Sequence, residues 1–499
     1  MSWRTLIVSL SVGCVLARTQ PLCGAQASQE TKAAASDKTA VLLIRDAESL
    51  PPEFAADVVL RVIESGASLA ASEKLKALKS AFDEAAQSQD DVLLRPWGGS
   101  VEETSEGLHA LALSAAQLDR ISEQSRAVQD MAGIDPKLAR VRLGMIAMPR
   151  FEPPACKATW VYFPAPYYDA VFKVMETGFS RKEVAGGERG ELLKSVVNKV
   201  VSHSQLPPVT RLIRGADVSG AELSGVIASY MFVLDNLRGD AHSFNATSQQ
   251  SVDEFIALVA RLDKQGIGAL PLITSFRKYL VANFKAAPCA PLQGSGSGKL
   301  PRQIQEFNDK FADRLRAGGL TVISAEEIKN DAKDPSPAED EPPRWKSKES
   351  SDLLLALQQL PDMPKESPSI EAKYKEYLLR LNGWSNQSEP EIDFFHQKSL
   401  LYFGVIERLG PSALRTSVLV DFVRFLELNS YQQVSQVDWF VYTRRLIDGS
   451  TQPAERTDVI NALVGSGDPV LSLYGRLETW KDGHKGSQGW GSAASAHRN

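Results

Sequence analysis

Ser219-Gly220-Ala221-Glu222-Leu223-Ser224-Gly225-Val226-Ile227-Ala228-Ser229-Tyr230-Met231-Phe232-Val233-Leu234-Asp235-Asn236-Leu237 is the stretch that decides the fold class. It opens with Ser-x-x-Glu, a capping box that satisfies two of the backbone donors a helix start leaves free. Leu223, Val226, Ile227, Tyr230, Met231, Leu234 and Leu237 then recur at spacings of three and four. That period places them on one stripe of an α-helix.

The same grammar extends in both directions. Ser100-Val101-Glu102-Glu103 and Ser251-Val252-Asp253-Glu254 read as further capping boxes, each opening a helix. Asp135-Pro136 is an N-cap followed by proline at the first helical position, predicting a helix from Pro136 to about Ala147. Upstream, helices are expected over Pro51–Ser65, stopped by Gly66, and over about Glu73–Gln87. Tyr168, Val171, Phe172 and Met175 predict another ending at Gly178, and Leu192 to Val201 another. A helix is expected near Arg302–Arg316, and further helices over about 347–360, 370–382, 390–409, 412–428, 434–448, 454–464 and 468–480. Val41–Ile44 and Thr321–Ile323 are the two candidate strands, each without an evident partner. The expected class is therefore all-α: an irregular α-solenoid or α/α array of antiparallel helical hairpins, in two helical blocks.

Composition sets the frame. The chain of 499 residues is 43% hydrophobic and 23% charged, which excludes a wholly disordered or collagen-like chain. Arg4 and the apolar run Thr5–Ala17, followed by Ala25-Gln26-Ala27, read as a secretory signal peptide over residues 1–27, cleaved after Ala27. Ser11-Val12-Gly13-Cys14 has Ser where a bacterial lipobox has Leu, which argues against a lipoprotein anchored at Cys14. Nothing later is long and apolar enough to span a membrane. The predicted location is secreted or periplasmic. Cleavage would remove Arg4 and Arg18 and no acid, taking the net charge of -5 two units lower. That balance disfavours nucleic acid as a partner.

Residues 28–39 read as a flexible lead-in, 40–290 as an N-terminal helical domain and 291–346 as a linker region with one helix. Residues 347–480 read as a C-terminal helical domain and 481–499 as a disordered tail. Two cysteines survive cleavage, Cys156 and Cys289, both flanked by prolines. In an oxidising compartment they are expected to pair. The long loop so closed would gain about 5 kcal/mol in the chain-entropy account.

Asp135-Pro136-Lys137-Leu138-Ala139-Arg140, followed by Pro149-Arg150-Phe151-Glu152-Pro153-Pro154-Ala155-Cys156, resembles a stretch in secreted, all-helical bacterial proteins of unknown function. The resemblance covers about residues 40–480. It implies that fold and export, and no activity.

Chemistry-bearing motifs are scarce. Gly294-Ser295-Gly296-Ser297-Gly298-Lys299 lacks the first glycine of a P-loop, at Gln293, and has Leu300 in place of Ser or Thr; it reads as linker. The six histidines share no zinc-ligand spacing, so neither a metal nor another cofactor is expected, and His396 reads as a boundary residue. No catalytic residue is assigned. Glu152, Asp169, Asp240 and Asp393 sit near turns or helix starts, where an acid suits the helix dipole. Trp160, Tyr162, Phe163, Tyr167 and Tyr168 form a possible binding surface beside Cys156; packed over helix ends, they would be plain core. Tyr402, Phe403, Phe422, Phe425, Trp439, Phe440 and Tyr442 fall at core spacing.

The leading expectation is a secreted or periplasmic helical scaffold that binds a protein or glycan partner. The alternatives are a secreted α/α enzyme acting on polysaccharides and an envelope structural protein.

Overall fold

In the computed structural model the decisive stretch is a helix over Gly220–Asn236. The Ser219 hydroxyl accepts from the Glu222 backbone N–H at 3.3 Å, and the Glu222 carboxylate accepts from the Ser219 N–H at 2.8 Å. Leu223, Val226, Ile227, Tyr230 and Leu234 are buried beneath it. The structure describes residues 38–98, 105–286, 289, 300–329, 347–361, 368–386, 390–450 and 452–485. The predicted signal peptide, the box at Ser100–Glu103, the Gly294–Gly298 run, residues 330–346 and residues 486–499 lie outside them.

The elements run in chain order as follows. The first group is α1 (38–47), α2 (Pro52–Glu64), α3 (Ala71–Ala85), β1 (Leu94–Pro96), α4 (Ser105–Ala116), α5 (Arg120–Ala132) and α6 (Pro136–Met145). Next come β2 (Trp160–Tyr162), α7 (Ala165–Thr177), α8 (Arg181–Ala185), α9 (Glu188–Val197), α10 (Leu206–Gly215) and α11 (Gly220–Asn236). They are followed by α12 (Ala241–Lys264), α13 (Leu270–Ala286) and α14 (Arg302–Ala317). The last group is α15 (Lys348–Gln358), α16 (Pro368–Gly383), α17 (Glu391–Arg408), α18 (Ala413–Leu428), α19 (Gln436–Gly449), α20 (Pro453–Val464) and α21 (Pro469–Lys485). The protein is all-α, and among the described residues its one sheet is the two-stranded pair β1–β2.

Several expectations are corrected. Val41–Ile44 is helical, because Ala40, Leu43 and Ala47 are buried at helical spacing. Thr321–Ile323 is not a strand. Asn308 of α14 takes the place of a partner strand: its amide donates to the Ile323 carbonyl at 2.8 Å and accepts from the Ile323 N–H at 2.9 Å. Ser251 does not cap a helix; it lies inside α12, its hydroxyl donating to the Thr247 carbonyl one turn back at 2.9 Å. The α12 cap is Asp240, whose carboxylate accepts from the Ser243 N–H at 3.0 Å. The helix expected over Leu192–Val201 ends at Val197, leaving Val201 exposed. The helix in the supposed linker is core: Ile304, Phe307, Phe311 and Leu315 of α14 are buried, and Phe311 meets Phe255 at 5.8 Å. Lys38 and Thr39 belong to α1 rather than to a lead-in, and α21 continues through Lys485 rather than stopping at 480.

Neighbouring helices pack in series. The α5 helix packs on α2, α3, α6 and α7; farther along, α10, α12 and α14 are stacked, as are α9, α11 and α13. The later helices return to the first ones, with α19 packing on α4 and α21 on α2. Phe54 of α2 is wholly buried among Tyr431, Trp439, Phe440 and Tyr474, with ring centroids 5.2–6.4 Å away. A single hydrophobic core thus runs from α1 to α21.

Candidate functional site

A two-stranded ribbon has little stability alone and needs a bed. The β1–β2 pair is antiparallel, with Leu94 opposite Tyr162, Arg95 opposite Val161 and Pro96 opposite Trp160. The Trp97 N–H donates to the Thr159 carbonyl at 2.8 Å and the Phe163 N–H to the Leu93 carbonyl at 2.7 Å, closing both ends. The bed is α4 and α12. His242, fully buried in the first turn of α12, donates from Nε2 to the Trp160 carbonyl at 2.9 Å. Its ring meets Trp97 edge-on at 4.6 Å. Asp240, the cap of that helix, has φ +36°, a left-handed conformation that costs a non-glycine residue about 1–2 kcal/mol. Asp is among the few residues that tolerate it, because its short carboxylate bonds locally.

Side chains alternate across a strand. Val161 faces inward and is buried, and on its side of the ribbon the Arg95 guanidinium lies 5.6 Å from the Phe163 ring centre. Trp160 and Tyr162 share the other, half-exposed face. Their rings are 5.2 Å apart at 77°, and Phe151 stands against Tyr162 at 5.3 Å and 80°. The Trp160 indole N–H donates to the Glu106 carboxylate at 3.2 Å. Burial, then the charges of Glu152 and Asp240, push the Tyr162 hydroxyl above its ordinary pKa.

The five aromatic residues singled out in the sequence are therefore divided. Trp160, Tyr162 and Phe163 sit on the ribbon. Tyr167 and Tyr168 are buried in α7 and do not belong to a surface. Burial pushes the Tyr167 hydroxyl up to about 12, and the Tyr168 hydroxyl accepts from the Gln205 amide at 3.1 Å. Cys156 and Cys289 form the expected disulfide, their Cα atoms 4.8 Å apart across a sequence separation of 133. It ties the loop before β2 to the segment just after α13. Nothing in the sequence marks Trp97, Phe151, Glu106 or His242 as part of this site. Alternation in so short a strand is a faint signal, and His242 and Trp97 acquire their roles through contact across the fold.

A second polar region escaped the sequence reading. Where α2, α4 and α5 meet α17, α19 and α21, charged groups lie in the interior. Asp57 is fully buried and takes Arg61 at 2.5 Å, Arg126 at 2.8 Å and the Tyr474 hydroxyl at 2.6 Å. Burial opposes its charge, yet the two arginines hold its carboxyl well below the usual range. Asp438 lies between two histidines, 3.0 Å from His109 Nδ1 and 3.4 Å from His396 Nε2; Asp90 is 3.3 Å from His109 Nε2. Burial works against the His109 cation, but Asp438 and Asp90 prevail and push it up to about 10. His396 is not a boundary residue: it is 1% exposed, with Nδ1 2.8 Å from the Tyr442 hydroxyl. Burial raises Glu53 and Asp119 to about 6 and Asp130 to about 7. The seven aromatics assigned to the core of the last block are all buried.

Among the described residues no group of three His, Cys, Asp or Glu side chains is arranged to hold a metal ion, and no helix is long and apolar enough to cross a membrane. No family model, no curated protein and no solved structure matches the chain. The class that fold and geometry define is an all-α protein with, among the described residues, one disulfide and one small aromatic ribbon.

Proposed function

We propose that this chain is an exported helical binding protein that docks a protein or glycan partner on the half-exposed face of the β1–β2 ribbon. The observation that carries this reading is the ribbon itself: three aromatic rings and adjoining carboxylates held half in water by a buried histidine. Rings with one wet face and a rigid support are the usual makings of a recognition surface. The interior charges serve a structural role, locking the early helices to the late ones. Export is supported by the basic-apolar-small start of the sequence and is compatible with the disulfide.

Site-specific photocrosslinking tests the reading. A benzoylphenylalanine at Trp160 should give a discrete partner adduct in the native envelope. The same group at Leu379, 76% exposed and on α16, should not. Equal labelling from both positions, or none from Trp160, would overturn it. The exported chain should begin near Ser28; exported material that retains Arg4 would remove the export part.

A further inference from the structure

We propose that the corner formed by Trp160, Tyr162 and Phe151 receives Lys or Arg side chains from a basic segment of a protein partner. The inference rests on the ribbon being the recognition surface and adds the chemistry of what it takes.

Three observations lead to it. The first is shape. The rings stand at 77° and 80° to their neighbours, so they make a corner rather than a flat floor. A sugar ring stacks over a broad flat face, whereas a compact cation fits against several ring faces at once. The second is charge. Glu106 bonds Trp160, and Glu152 and Asp240 are the charges felt by Tyr162; none of the three makes an ion pair with a described residue. Carboxylates at the indole N–H and around the Tyr162 hydroxyl favour a cation and disfavour a phosphate or an acidic peptide. Arg150 and Lys157 lie in the same loop, but neither is placed over the three rings. The third is contrast within the molecule. Elsewhere the protein supplies its own cations to aromatic rings: Arg140 over Phe179 at 4.6 Å, Arg445 over Phe403 at 4.4 Å, and Arg95 over Phe163 on the ribbon's other side. Among the described residues no Lys or Arg covers Trp160, Tyr162 or Phe151. Among the described residues the site has the surroundings of a cation–π contact and lacks the cation.

The test titrates the mature, disulfide-bonded protein with three probes: a blocked Ala-Lys-Ala-Lys-Ala peptide, its glutamate counterpart, and a neutral β-linked glucose hexamer. The lysine peptide should bind and quench tryptophan fluorescence. Binding should weaken between about 50 mM and about 0.5 M salt. Trp160→Ala should lower affinity at least about threefold, while Trp160→Phe keeps most of it, since a phenyl face also attracts a cation. Glu152→Gln, a surface change that leaves the fold intact, should weaken binding and flatten the salt dependence. No binding of the lysine peptide, or binding indifferent to both Trp160→Ala and Glu152→Gln, overturns the inference. If the hexamer binds in a Trp160-dependent way and the lysine peptide does not, the cationic partner is wrong and the ribbon stands as the recognition surface. If the crosslinks from Trp160 are also missing, both fail.

Discussion

His109 and His203 are both placed inside helical packing, and they carry opposite charge states. His109 lies at the seam between the early and late helices, gripped by Asp438 and Asp90, and keeps its proton up to about 10. His203 lies inside the α10–α13 layer, fully buried. Its Nε2 donates to the Gly239 carbonyl at 3.1 Å, and its Nδ1 accepts from the Tyr279 hydroxyl at 2.8 Å. Burial drops its pKa to about 4, so it is neutral. Depth alone does not decide the charge of a buried imidazole; the partners do. Across the seam His109 of α4 meets Asp438 of α19, and Asp46 of α1 meets Arg476 of α21 at 2.8 Å. The α10–α13 layer is built from neutral bonds, with the Thr210 and Tyr230 hydroxyls hydrogen-bonded at 2.5 Å and Asn283 donating to the Leu237 carbonyl at 3.2 Å.

The largest expected effect breaks the seam. Asp57→Ala should cost about 3–5 kcal/mol in denaturant unfolding, because Arg61, Arg126 and Tyr474 lose a shared buried partner. A loss under about 1 kcal/mol would mean that the arginines escape to water and that the seam is not locked by charge. Next comes the disulfide, which belongs to neither network. Cys156→Ser should cost about 2–4 kcal/mol and raise hydrogen exchange at β2 more than at the seam.

The two histidines should then show mirror-image pH dependence. The His109 contribution is full below its ordinary 6.5 and is lost as pH rises through about 10. His203 resists protonation in the fold, so its contribution is full above 6.5 and shrinks as pH falls toward about 4. Relative to wild type, His109→Gln should therefore be worst in mild acid and His203→Leu worst at neutral to basic pH, each by about 1–3 kcal/mol. Parallel pH profiles for the two variants would sink the comparison. The smallest effect sharpens it. Asp130 rises from an ordinary 3.8 to about 7 through burial and then Glu64, so the fold prefers it protonated. Its stabilising share is present below about 3.8 and declines as pH rises through about 7. Asp130→Asn should therefore gain on wild type between pH 5 and pH 8, by on the order of 1–2 kcal/mol once solvent screening is allowed for. Thermal melts at the two pH values will read this, and an unchanged gap would contradict it.

Little of the candidate site was legible beforehand. Trp160, Tyr162 and Phe163 stood out as an aromatic run, but Tyr167 and Tyr168 in the same run turned inward. A helical register begins at Ala165 and carries Tyr168, Val171, Val174 and Met175 to the core. The corner needed Phe151 from the preceding loop and Glu106 from α4, and neither is marked by spacing. Asp57, His109, Asp438 and Tyr474 are ordinary helix residues in the sequence, and only packing brings Asp57 within 2.6 Å of a tyrosine some four hundred positions later.

What the sequence determined by itself was local. The 3.6-residue stripes, the capping box at Ser219, the proline after Asp135 and the glycine after α2 specify helices through bonds within one turn of chain. The all-α class follows from those alone. The Cys156–Cys289 pairing was legible too, because both cysteines lie in proline-flanked segments beyond the expected signal peptide. The tertiary structure decided what depends on distant neighbours. It turned Val41–Ile44 into helix because a core lay on one side. It let Asn308 stand in for a strand beside Ile323, and it overrode the Ser251 box because Asp240 begins that helix earlier. It placed a buried aspartate between two arginines and seated a ribbon on His242. Hydrogen bonds within a turn need no partner from elsewhere. A buried charge or a paired strand does, and the chain supplies that partner only once it has folded.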